Sequence, residues 1–202
     1  MSKEISFQDK MEQFAKQTNR ECNYKETPFT ERTHKGILHR KMIVTIKSNK
    51  VENGYYFAYY NTKALGDNRV YSGFFFPINI PQKAKIVLRK KDILDRLSRS
   101  GKKDLLHIGQ QDFDRKIYCK GNDERVFSSI FGTKEVQNLT IETLKLKSLL
   151  KIGLNIFEMD EIDTFKEKSS FGIYSNDWME DVKLLERLFL KMEKFCAVLN
   201  KI

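Results

Sequence analysis

The stretch Ile108–Glu124, IGQQDFDRKIYCKGNDE, reads as a strand, a glycine turn and the start of a helix. Phe113, Ile117 and Cys119 alternate onto one face, the period of a half-buried strand. Gly121 breaks the run, and Asn122 is a good N-cap for a helix opening with Asp123 and Glu124. The helix that follows places Val126, Phe127, Ile130 and Phe131 on one face. Gly132-Thr133 then restarts a second short helix carrying Val136 and Leu139.

Upstream, Ser6 with Asp9 forms a capping-box-like start, and Phe7, Met11, Phe14 and Ala15 recur at helical spacing. Tyr24 to His34 runs extended, and Met42, Val44 and Ile46 alternate as a strand. Asn53-Gly54 signals a type I′ hairpin returning through Tyr55 to Thr62. Gly66-Asp67-Asn68 turns the chain into Arg69 to Ile80, where Pro77 and Pro81 predict that the second half of the strand is an edge or leaves the sheet. Lys83 to Arg89 adds a further strand, at least the fourth in meander order, and Ile93 to Ser100 reads as a helical turn. Leu149 to Phe157 and Ser170 to Tyr174 form a strand pair with an acidic connection. Asp177 and Glu180 cap a closing helix with an apolar stripe from Val182 to Leu199. The expectation is a single α+β domain over residues 1–202: an antiparallel sheet of five or more strands flanked by N-terminal and C-terminal helices. Within it, 1–22 is the N-terminal helix, 23–107 the β-rich part and 108–202 the strand-helix part.

The segment IGQQDFDRKIYCKGNDERVFSSIF resembles a motif of uncharacterised bacterial proteins, a domain of unknown function. There a glycine precedes a Phe-Asp-Arg-Arg-Phe strand, then a glycine, acidic residues and an apolar helix. Gly109, Phe113, Asp114, Arg115, Gly121, Asp123 and Glu124 fit the pattern, while Ile117 stands for the second Phe. HKGILHRKMIVTI and the closing strand and helix extend the resemblance over residues 24–202. It implies a fold and no activity.

Composition narrows the classes further. With 40% apolar and 32% charged residues in 202, the chain can bury a core without staples. No apolar run spans a membrane, and the N-terminus lacks the features of a secretory signal, so a cytoplasmic location is expected. Cys22, Cys119 and Cys196 are odd in number and form no CxxC pair, which fits buried small hydrophobes.

The net charge is +10, and residues 1–100 carry all of the excess, with 20 Lys and Arg against 10 Asp and Glu. Between 83 and 103 lie Lys83, Lys85, Arg89, Lys90, Lys91, Arg96, Arg99, Lys102 and Lys103, against only Asp92 and Asp95. That density suits nucleic acid or an anionic surface, or a solvated arm.

Catalytic signatures do not assemble. GxSxG, a P-loop and HExxH are absent, and His34 and His39 match no helical metal pair. His107 with Cys119 is the one conceivable Cys–His dyad. Glu158, Asp160, Glu161 and Asp163 lack the pattern of an EF-hand and read as a solvated turn. Asp123 and Glu124 occupy the helix start after Gly121, so a phosphate there would be repelled. Arg115, sharing a face with Phe113 and Ile117, predicts a structural ion pair. The aromatic strands YYFAYY and SGFFF could stack bases, but no RNP pattern accompanies them and core packing is the expectation.

The reading is a non-enzymatic interaction or scaffold module without cofactor. The partner is open between nucleic acid and another protein. Anionic binding through residues 83–103 is the second reading and an enzyme of unrecognised class the third.

Overall fold

The computed structural model describes residues 5–32, 35–66, 69–93, 95, 104–159 and 161–201. An eight-stranded, wholly antiparallel sheet organises the molecule, in the order β1-β2-β3-β4-β8-β7-β5-β6. The strands are β1 (Cys22–Arg32), β2 (Leu38–Lys47), β3 (Tyr55–Asn61), β4 (Val70–Ile78), β5 (Ile86–Lys90), β6 (Ile117–Gly121), β7 (Lys151–Leu154) and β8 (Ser169–Ser175). The helices are α1 (Phe7–Gln17), α2 (Gln111–Lys116), α3 (Glu124–Phe131), α4 (Lys134–Leu144) and α5 (Val182–Leu199). The α+β expectation with terminal helices on an antiparallel sheet is met.

Alternation along the strands sorts side chains onto two faces. One face presents Val44, Ile46, Tyr56, Phe74, Ile86 and Leu88 to the helices, where α5 contributes Leu185, Leu188, Phe189, Met192 and Phe195. Phe189 meets Phe74 edge to face at 4.8 Å, and Phe195 lies 4.8 Å from Phe171. The other face carries a separate cluster of Ile43, Phe57, Tyr71, Phe75 and Tyr174. The connection between β7 and β8 folds back over it with Met159, Ile162 and Phe165 buried. That connection was expected as a solvated turn. Its acidic residues alternate with apolar ones that cover the aromatic strands instead. Asp160 lies outside the described residues.

Several local expectations are corrected. Gln111–Lys116 is helical, so Phe113 reaches the core from α2 and the strand begins only at Ile117. Phe113, Ile117 and Cys119 are all buried as expected. A short helix feeding a short strand brings them to the same side, which a period of two also predicts. Asp123, not Asn122, caps α3 by accepting from the Val126 N–H at 3.0 Å. Asn122 instead clamps β5, accepting from the Lys85 N–H at 2.7 Å and donating to the Lys83 carbonyl at 2.8 Å. Asp181 caps α5 in place of Asp177, whose carboxylate pairs with Lys147. Arg115 is exposed on α2 rather than held in a buried pair.

The turn after β2 is also longer than a type I′ hairpin. Only Asn53 has positive φ (56°), and the Ser48 N–H bonds the Gly54 carbonyl across the closed loop. β4 lies between β3 and β8, yet its second half, around Pro77, is an edge on the β3 side as expected. β3 starts at Tyr55 opposite Phe75, so the ladder on that side has already stopped when Pro77 is reached. The meander holds for β1 to β4 and then breaks: β5 joins β7 and β6 at the far side, and β8 fills the gap. The Ile93–Ser100 helical turn falls mostly outside the described residues.

Candidate functional site

The predicted basic segment divides between the two ends of the sheet. Lys83 and Lys85 precede β5 and are exposed at one end; Lys90 and Lys91 leave it at the other. Arg89 lies between them and is committed to structure. Its guanidinium donates two 2.6 Å bonds to Asp95 and lies 4.2 Å from the Tyr118 ring centroid. The pair holds the Asp95 carboxyl below the usual carboxylate range. Arg96, Arg99, Lys102 and Lys103 lie outside the described residues.

Lys90 and Lys91 find company that spacing along β5 does not reveal. Leu88 faces the helices, so Lys90, two residues on, points the same way. There α2 supplies Arg115 and Lys116, and Lys145 closes the C-terminus of α4. These five cations and Asp112 rim a cleft of about 420 Å³. Its floor is apolar: Ile117 and Leu144 are buried, and Ile141 half-buried. Helix polarity favours the placement, because Arg115, Lys116 and Lys145 stand where the C-terminal dipoles of α2 and α4 attract cations.

The familiar motif residues build this cleft rather than act in it. The Asp114 carboxylate accepts from the N–H groups of Ile108 (3.1 Å) and Gly109 (2.9 Å), fixing the left-handed turn at Gly109 (φ 78°). The Asp114 carbonyl accepts from Lys91 Nζ at 2.6 Å, and the Lys91 N–H donates to the Lys116 carbonyl at 2.8 Å. The end of β5 is thereby sewn to α2.

Exposed apolar side chains gather at the same end of the sheet, where β1, β3, β5 and β8 finish and β2, β4, β6 and β7 begin. Leu149, two residues before β7, is 78% exposed, and Ile93, three after β5, is 74% exposed. Farther along, Ile37 (65%) and Leu65 (87%) sit at the β1–β2 and β3–β4 tips beside Arg32, Arg40 and Arg69. The opposite end carries both signs, with Lys83, Lys85, Lys166 and Lys168 among its residues. The β7–β8 connection there carries Glu158, Glu161, Asp163 and Glu167.

The remaining candidates do not converge. His107 is exposed while Cys119 is buried on the helix-covered face, so no dyad forms. Burial, aided by the charge of Asp114, pushes the Cys119 thiol up, and burial with Glu12 raises Cys22 to about 11. His39 Nδ1 shares a 3.0 Å hydrogen bond with Thr62 Oγ1, and His34 lies outside the described residues. Among the described residues, no three His, Cys, Asp or Glu side chains come together to hold a metal. None of the described helices is long and apolar enough to cross a membrane. The aromatic strands are packed on both faces, as the core reading expects.

Comparison with protein-family models, with curated proteins and with solved structures gives no match.

Proposed function

We propose that the protein is a non-catalytic binding module whose basic end docks on an anionic lipid surface. The observation that carries this reading is the cleft of Lys90, Lys91, Arg115, Lys116 and Lys145 over an apolar floor, flanked by exposed Ile93 and Leu149. Cations near an anionic bilayer contribute about 1 kcal/mol each, and apolar tips add burial in the interface. Nucleic acid fits the cleft less well. No aromatic ring lines it for base stacking, and its apolar floor has no counterpart in a phosphate backbone.

The test is co-sedimentation with phosphatidylcholine vesicles, with and without 30 mol% phosphatidylglycerol (roughly the anionic content that gives a strong surface potential). Binding is expected only with the anionic lipid and should weaken steeply as salt rises. Replacing Lys90, Arg115, Lys116 and Lys145 together by Ala should weaken it by about three orders of magnitude. Leu149→Ser, which removes the apolar tip without adding charge, should weaken it without altering the salt slope. Equal binding to neutral vesicles, or a quadruple variant that binds like wild type, would overturn the reading. Preferential capture of DNA or RNA would transfer the basic end to nucleic acid.

A further inference from the structure

A second site lies on the opposite face of the sheet, under the β7–β8 connection. Phe57, Tyr59 and Tyr71 form an aromatic floor there, and Phe157 descends onto it from the connection. The Phe157 and Tyr71 rings are 4° from parallel with centroids only 3.7 Å apart. Two hydrocarbon-like rings avoid that arrangement. Their faces both carry negative potential, so edge-to-face or offset geometries with centroids beyond about 4.5 Å are preferred. The neighbouring pairs obey this: Phe157 meets Tyr174 at 4.9 Å and 86°, and Phe75 at 6.1 Å and 83°. Full face-to-face overlap is favourable when one of the rings is electron-poor, because a depleted face attracts a rich one.

A cavity of about 770 Å³ opens beside the overlapped pair, within the range of small-molecule sites. Its wall adds Gln82, Asn155 and Ser170, which can hydrogen-bond the edge of a heterocycle. Among the described residues its charges balance. Glu158 and Glu167 oppose Lys85 and Lys168, and Glu161 is already paired with Lys41 outside the lining. A ligand with net charge gains nothing from such a wall, whereas a neutral one meets both donors and acceptors. Phe157 itself is only half-buried, unlike Phe57 and Tyr71 beneath it, and it sits two residues after Asn155, whose positive φ (52°) marks the bend where the connection leaves β7.

We propose that the face of Tyr71 covered by Phe157 is a binding slot for an uncharged, electron-poor heteroaromatic small molecule, with Phe157 as its built-in occupant. The ligand displaces the Phe157 ring and stacks on Tyr71, its edge turned to the polar wall. Because the occupied slot must first open, the apparent affinity of the wild-type protein is reduced by the fraction of molecules in which it is closed.

Saturation-transfer NMR and titration with nicotinamide, adenine and lumichrome, and with p-cresol as an electron-rich control, test the proposal on the full chain. Phe157→Ala should bind at least one heterocycle roughly three- to ten-fold more tightly than wild type, the gain from removing a stacked competitor. Tyr71→Leu, which keeps bulk but removes the ring, should bind none. Should Phe157→Ala melt early, Phe157→Leu serves in its place. No saturation transfer in wild type or variant would overturn the proposal. So would an affinity unchanged or lowered by Phe157→Ala, or p-cresol binding as well as the heterocycles. The vesicle experiment reads the helix-covered face of the sheet and this one reads the other face, so either result stands without the other.

Discussion

At the scale of single residues, Arg89 shows how a basic segment can be misread from composition. Spacing alone counts it with the exposed lysines, yet its planar fork is spent on Asp95 and Tyr118. Asp95 is nearly buried, at 9% side-chain exposure, and further accepts from the Asp92 N–H at 2.9 Å. Asp95→Asn is expected to cost about 1.5 kcal/mol at pH 7, the lower end for charged hydrogen bonds because Arg89 keeps some water. The sign of the pH dependence follows from the depressed carboxyl of the folded state. Its contribution is complete above the unfolded value of about 3.9 and is lost as pH falls through the lower folded value. Urea unfolding of wild type and variant should therefore give the same difference at pH 7 and 5, and a shrinking one in stronger acid. A difference that vanished already at pH 5 would contradict the pairing.

At the scale of elements, the β7–β8 connection depends on Asn155. Its side chain accepts from the Ser170 N–H (2.8 Å) and donates to the carbonyls of Ala84 (2.9 Å) and Pro81 (3.2 Å), tying the bend to the start of β5. Asn155→Ala and Asn155→Gly both lose these bonds, but only Ala must also adopt positive φ. Thermal unfolding should rank wild type above Gly and Gly above Ala, with Ala about 1 kcal/mol below Gly; Ala at or above Gly would refute the assigned strain.

This connection also shows which elements could be read in advance. Periodicity found α1, α3, α4 and α5 because each is amphipathic and carries its own cap or glycine stop. It found β2 by alternation, whereas β1 reads only as an extended segment ahead of the sheet and is in fact its edge strand. It missed α2, since six residues offer too few turns to separate a helical period from an alternating one. The buried connection was missed because its acidic residues dominate its composition, while the three apolar ones that anchor it recur every third residue over too short a run to mark an element. The cleft was half legible. Lys90 and Lys91 stand together in sequence, but Arg115, Lys116 and Lys145 reach them only through pairing of β5 with β6 and packing of α4.

At the scale of the whole molecule, a cleft of cations and exposed apolar tips gather at one end of the sheet, while the other end carries both signs. Such an arrangement orients the molecule as it approaches a negative surface, before any contact forms. The same sheet has a consequence for how the chain acquires its structure. β1 to β4 form a local meander, β7, β5 and β6 form a second group, and β8 alone hydrogen-bonds both. A strand near the end of the chain is therefore the keystone between two halves drawn from earlier segments. Pairing at such long sequence separation is slow, and the unpaired flanks of β4 and β7 stay sticky meanwhile. A chain ended at residue 168 should lose the cooperative transition and self-associate, as light scattering and circular dichroism would reveal; a truncated chain that melted like the whole would refute the keystone role. During synthesis, the first four strands can emerge and pair while their inner flank waits for a partner not yet translated. That interval makes the nascent chain a natural client for chaperones.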